Sequence, residues 1–322
     1  MNFNPNLIVY ATPAMVLMSV TELLILRHGH HNKETRKNIV TSYVIAFVFV
    51  AVNVPLKFIP FMLNTWVYEF RFFELEQTAV WVVGLAFFYD DFTGYWAHRM
   101  THNVRLYWAS HLVHHSSETY NYTAGARQSW VGLYTGSFLL WAWIPLMGIS
   151  PELMIWMKSI NTLYAFALHT EFIRKFPKWI EFIFNTPSHH RVHHSKELRN
   201  LDMNNGATLI IWDRIFGTFV PEEKETEYGL CKEIKNPNAV NINFNEFRDI
   251  YNDLKKSPKL YHKFMYIFGP PGWSHDGSTK TAKQLRKELA ESTSKVITMR
   301  NMVAGPAELH RNKKMKVAGL RV

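Results

Sequence analysis

Eight of the sixteen histidines in this 322-residue chain crowd into three short boxes. His98 and His102 form the first, His111, His114 and His115 the second, and His190, His193 and His194 the third. Residues three and four apart on a helix share a face, so each box projects its imidazoles together. A fold that uses this pattern must bring three helical segments, far apart in the chain, around one centre. Imidazole suits iron, zinc and copper, and three or four imidazoles fill the protein positions of one ion. Eight are too many for one ion and fit two. His169 stands alone shortly before Glu171 and is read as a ninth ligand. His189, directly before the third box, is read as supporting the ligands from behind. His28, His30, His31, His262, His275 and His310 lack the paired spacing and are read as surface histidines.

The second constraint is apolar length. Apolar residues make up 48% of the chain against 19% charged, and they are clumped. A membrane span needs about 20 largely apolar residues. Five stretches meet this: residues 7–26, 39–63, 78–97, 130–149 and 152–172. The second is interrupted at Pro55, and the fourth and fifth form a hairpin. The sequence before residue 7 has no basic region, so the first stretch reads as an uncleaved anchor rather than a signal peptide. Arg27, Lys33, Arg36 and Lys37 follow it, which puts that loop in the cytoplasm by the positive-inside rule. Counting forward, all three boxes face the cytoplasm. The expected fold is an all-α integral membrane protein with about five spans and a cytoplasmic, histidine-rich di-metal region. Its expected parts are membrane spans over 1–78, the catalytic core over 79–220, a peripheral region over 221–279 and a basic tail over 280–322.

The tail carries eleven Lys or Arg against three Glu, most of the chain's net charge of +10. It lacks the interleaved aromatics that stack on bases, so it reads as a solvated terminus and no nucleic-acid partner is expected. A single cysteine, Cys231, excludes a disulfide framework and any multi-cysteine metal site.

An all-nitrogen dinuclear site beside a bilayer suits O₂ chemistry at two irons on a hydrocarbon chain. Side-chain acid–base chemistry cannot break an unactivated C–H bond. Asp90 and Asp91 interrupt the third span, where an acid reads as functional. Together with Glu118, Glu171 and Asp202 they are expected to orient ligand imidazoles through the second ring nitrogen. Trp96, Trp108, Trp130 and Trp212 read as an interfacial belt. Residues 209–219 are too short to span and read as a segment covering the site. Residues 240–268 read as a peripheral amphipathic region.

The boxes resemble the HX3H, HX2HH and HX2HH pattern of the fatty acid hydroxylase and sterol desaturase superfamily of membrane di-iron enzymes. The likeness continues through Tyr95–His102, His114–Glu118 with Tyr120 and Asn121, Ala126–Ser129, Asn185–His194, Ile210–Phe219, Tyr228–Leu230 and Gly269–Trp273. These longer stretches are similar to the ether-lipid-cleaving branch of that superfamily. The resemblance implies metal ligands at His98, His102, His111, His114, His115, His190, His193 and His194, with His169 added. It implies two iron ions, a lipid substrate, and electrons from a reductase, a cytochrome b5-like partner or a tetrahydropterin. The expected reaction is hydroxylation of a lipid C–H bond, with ether cleavage as its outcome on an ether lipid. A lipid or sterol desaturase and a non-redox zinc-binding membrane protein remain the alternatives. The chain length and the absence of an obvious retrieval signal favour a bacterial inner membrane over the endoplasmic reticulum.

Overall fold

The computed structural model describes residues 7–26 and 33–303. The link at 27–32, with His28, His30 and His31, and the stretch 304–322, with His310, lie outside the described residues. Those described are helical, with no strand among them beyond two isolated bridges, Phe184 to Leu209 and Ser195 to Tyr228.

The N-terminal part consists of α1 (Leu7–Leu26), α2 (Lys33–Asn53) and α3 (Phe58–Tyr68). The chain breaks between α2 and α3 at Pro55–Lys57, as expected where proline removes a helical donor. Three long helices follow this pattern of apolar stretches: α1, α2 and α4 (Val80–Asn103), the last rising about 36 Å. Of these, Glu34–Asn53 of α2 is long and apolar enough to cross a membrane, and Tyr10–Ile25 forms a shorter apolar segment.

The expected fourth span is not a single helix. Residues 130–149 fold as two short 3-10 turns, Gly132–Thr135 and Ser137–Trp141, with α6 (Tyr122–Gly125) before them and α7 (Trp143–Leu146) after. Gly136 between the turns adopts a left-handed φ of 77°, and Gly148 one of 88°. Such backbone breaks a continuous helix at little steric cost. The expected fifth span ends early: α8 covers Pro151–Ala167, capped by Ser150, whose hydroxyl accepts from Leu153 N–H at 3.3 Å.

Val82 and Ala86 of α4 pack on Ile144 of α7, on Ile149 and on Leu153, Met154 and Met157 of α8. This core fixes α4 beside α8. The next helix, α5 (Arg105–His115), follows α4 after the single extended residue Val104. Further along come α9 (Lys178–Ile183), α10 (Pro187–His193), α11 (Ile211–Phe216), α12 (Ala239–Lys256), α13 (Leu260–Phe268) and α14 (Ala282–Val303). Arg105 ties α5 to α12 through Glu246 and Asp253, each at 2.7 Å. Glu22 of α1 is buried and accepts from Tyr122 N–H at 2.6 Å and the Thr170 hydroxyl at 2.8 Å. The first apolar helix is thereby pinned to the segment that carries His169.

Candidate metal centre

The nine candidate histidines come together, and they separate into two groups. His98, His102, His111, His115 and His193 form one; His114, His169, His190 and His194 form the other. Within each group, the ligand atoms lie within 4.8 Å of one another. The three boxes therefore do not map onto single sites. On α5, His111 and His115 serve the first group while His114 serves the second. On α10 and its C-terminal cap, His193 serves the first while His190 and His194 serve the second. Each residue turns a helix by about 100°, so the i+3 and i+4 neighbours flank residue i on opposite sides. Adjacent histidines can thus face adjacent sites. The groups abut: the His115 and His194 rings stack with centroids 4.3 Å apart.

The donor geometry fits metal ions. His111 Nε2 stands 3.1 Å from the Nε2 atoms of both His98 and His115. His169 Nε2 stands 3.1 Å from that of His190 and 3.2 Å from those of His114 and His194. Two nitrogens about 2.1 Å from one ion and at right angles would be about 3.0 Å apart. His102 Nε2 and His193 Nε2 are buried without a hydrogen-bond partner among the described residues. Burial, and then the neighbouring imidazoles, hold His111, His115, His190 and His194 far below the ordinary histidine range, and burial does the same for His114 and His193. These imidazoles are neutral, the form that ligates.

The outer ring nitrogens show how the groups are aimed. His98 Nδ1 donates to Asn205 O at 3.0 Å, and His193 Nδ1 to Met203 O at 2.8 Å. Asp202 lies 3.5 Å from His102 Nδ1. Since a carbonyl only accepts, the proton sits on Nδ1 and Nε2 faces inward. These three contacts come from one loop, 202–206. Asp202 and Asn204 hold positive φ there, 59° and 56°, a conformation Asp and Asn tolerate better than most residues. Asp213 of α11 secures the loop, accepting from the N–H groups of Asn205 and Gly206, both at 2.7 Å. Asn204 secures it as well, through His189 O at 3.1 Å and Val220 O at 2.7 Å. In the second group, His169 Nδ1 donates to Ala165 O of its own segment at 2.8 Å. The Tyr120 ring stacks on His169 at 5.5 Å.

The expected supporting residues divide. Asp202 lies beside His102, one of the candidate ligands. Asp90 does not: its oxygens accept from Trp141 Nε1 at 2.8 Å and Asn161 Nδ2 at 2.5 Å. Nor does Asp91, which accepts from Thr208 N–H at 2.7 Å and Trp212 Nε1 at 2.8 Å. Both acids sit two turns before His98, and their partners lie on neighbouring segments at that level. His189 turns away from both groups to Glu181, at 2.9 Å. Glu118 is exposed and outside both groups. Glu171 is also exposed, accepting from the Tyr228 hydroxyl at 3.0 Å; Tyr228 stacks on Tyr120 at 5.0 Å. The half-buried Trp108 ring leans on His102 and His115 at 5.3 and 5.7 Å. Trp212 is buried, its Nε1 donating to Asp91. His262 and His275 stack on each other at 5.0 Å, apart from both groups.

Sequence reading gave no individual role to Asp213, Asn204, Asn205, Glu181 or Tyr120. Asp213 left one sign, as an acid within the apolar run 209–219. Glu181 is a shared footing for α10. Burial pushes its carboxyl up, but His189, the Phe176 N–H and Ser188 outweigh this and bring it down to about 2. A cavity of about 270 Å³ reaches the histidines between α4 and α8, with His98, His111 and His190 in its wall.

Residues 81–218 match the fatty acid hydroxylase family model. The alkylglycerol monooxygenase of Homo sapiens is 38% identical over 229 residues, 71% of this chain and 50% of that protein. The alkylglycerol monooxygenase of Xenopus tropicalis is 39% identical over 225 residues, 70% and 49% of the two chains. The ornithine lipid hydroxylase OlsE of Rhizobium tropici is 28% identical over 180 residues, 52% and 51% of the two. The chain thus spans about half the length of the curated relatives it matches. No solved structure matches it significantly.

Proposed function

Since this chain belongs, through residues 81–218, to the fatty acid hydroxylase family, we propose that it is a membrane-bound di-iron oxygenase that hydroxylates a lipid C–H bond. The observation that carries this reading is the pair of abutting, all-imidazole groups, five histidines in one and four in the other. Two irons held there would supply the oxidising power to activate O₂ and break an unactivated C–H bond. The chain's own residues prepare the site. The carbonyls of Asn205, Met203 and Ala165 hold the Nδ1 protons, so His98, His193 and His169 present Nε2 inward. The cavity between α4 and α8 takes the substrate against His98, His111 and His190.

In the overall balance the C–H becomes C–OH and the second oxygen atom leaves as water. Two electrons and two protons come from a reductase, a cytochrome b5-like partner or a tetrahydropterin. The likeness to alkylglycerol monooxygenases extends the reading to ether lipids. A hydroxyl on the carbon beside the ether oxygen makes a hemiacetal, which collapses to an aldehyde and a free alcohol. The apolar helices hold the protein in a bilayer with this site on the cytoplasmic side.

The test is the lipid mass spectrum of iron-supplied cells expressing the chain, compared with cells expressing His193→Ala. A gain of one oxygen, or release of an alkyl chain as aldehyde, is expected from the intact chain alone. Loss of two hydrogens would make it a desaturase; no change would remove the oxygenase reading.

A further inference from the structure

Helix α13 carries an apolar face outward, where a helix packed on a core usually turns such a face inward. Its exposed residues Leu260, Tyr261, Phe264 and Phe268 fall within about 100° of arc. Its buried side holds Tyr266, with the Arg105 guanidinium 5.7 Å from the ring centre. On α12, Val240, Phe244 and Tyr251 are exposed as well and share one face. Exposed apolar faces of this kind mark interaction surfaces. The charges beside them have one sign. The acids of α12 and α13 are Glu246, Asp249 and Asp253. Glu246 and Asp253 bind Arg105, each at 2.7 Å, and Asp249 binds Lys232 at 2.6 Å. All three fall on the side of α12 away from Val240, Phe244 and Tyr251. The cations are left outside: Arg248, Lys255, Lys256, Lys259 and Lys263 are exposed, and Lys255 Nζ stands 4.3 Å from the centre of the Tyr251 ring.

Apolar rings interleaved with unopposed cations suit a bilayer interface. There, apolar side chains enter the boundary between headgroups and acyl chains, and lysines meet anionic headgroups. The packing agrees with this placement. Ile242 of α12 packs on Ile45 of α2, the helix long and apolar enough to cross a membrane. We propose that the outer face of α12 and α13 docks on the bilayer surface and takes anionic lipid headgroups. Leu260, Tyr261, Phe264 and Phe268 enter the interface, and Lys255, Lys256, Lys259 and Lys263 meet the headgroups. Arg105 ties α12 to α5, which carries His111, His114 and His115, so the docked face holds the histidine groups against the membrane surface. This rests on the bilayer placement proposed above and is independent of the lipid-oxidising reading.

The test uses the full chain in nanodiscs of phosphatidylcholine, alone or with about 30% phosphatidylglycerol. Cys231→Ser removes the one native cysteine, and Leu260→Cys, at a position 83% exposed, carries an environment-sensitive fluorophore. In the anionic discs the emission shifts to the blue and is quenched by brominated lipid, and about 0.5 M salt weakens the shift. Lys259→Gln and Lys263→Gln each lower the docked-to-free ratio about fivefold, the weight of one cation at an anionic surface. Equal emission in the two kinds of disc overturns the proposal. So does a shift that rises with protein concentration whatever the lipid, which would give the face to a second copy of the chain. A label that stays in water while the chain stays with the discs sinks this proposal alone. A chain that leaves the discs sinks the bilayer placement with it.

Discussion

The two histidine groups are built by different means. Three members of the first, His98, His102 and His193, take their orientation from a single distant loop, 202–206. That loop depends in turn on Asp213 and Asn204. The second group is held close to home, by the Ala165 carbonyl behind His169 and by the Tyr120 ring. One centre is thus tensioned by a loop and the other is set by packing. Two groups with chemically identical donors can therefore differ in how easily each would give up an ion.

The largest expected effect comes from deleting one ligand per group. His193→Ala and His190→Ala each lower lipid oxidation by at least about a hundredfold, beyond the range of outer-shell changes. Elemental analysis should find each variant short of one ion per chain. Loss of both ions from either variant would show the groups to be one cooperative site.

A pair of outer changes separates the groups more finely. Asp213→Asn loosens the 202–206 loop and should weaken the first group's metal affinity about 10- to 100-fold. Gly125→Ala strikes the second group, because its Cβ would stand 2.8 Å from His169 Cγ. Stoichiometry after graded chelation reads both variants. If Asp213→Asn empties the second group first, the contrast between loop and packing is wrong.

Glu181 supports α10, which feeds both groups, so its loss should not discriminate. Its folded carboxyl is held at about 2, below the ordinary glutamate value of 4.5. That stabilisation is present above pH 4.5 and is lost as the pH falls towards 2. The melting temperature of the wild-type chain should fall more steeply across this window than that of Glu181→Gln. Parallel curves would mean that the carboxylate does not brace α10.

The smallest effect belongs to Tyr120→Phe. It removes the hydroxyl that donates to Leu168 O at 3.0 Å and keeps the ring against His169. A loss of about 1 kcal/mol in stability is expected, with metal content unchanged. A changed metal content would give the hydroxyl a role at the second group.

Much of the site was legible because its ligands obey a local rule. His98 with His102, His111 with His115 and His190 with His194 sit four apart on their helical segments, and each pair serves one group. The break at Pro55 and the helix through residues 78–97 were legible for the same reason. The stretch 130–149 was not. Its composition suits a span, but Gly136 and Gly148 take backbone angles that a count of apolar residues ignores. Asp90 and Asp91 were singled out correctly as unusual and assigned to the wrong partners, because a side chain's partner depends on what packs across from it.

The sequence alone determined the donor type: imidazoles, in number enough for two ions, on helical faces set by spacing. Tertiary structure decided their partition. His114 and His115 point to different groups, as do His193 and His194, because consecutive helical residues diverge by about 100°. Which site each one meets depends on how α4, α5 and α10 rotate against one another. The carbonyls that fix the rings come from a loop whose place is set by Asp213, a contact between segments that spacing cannot encode.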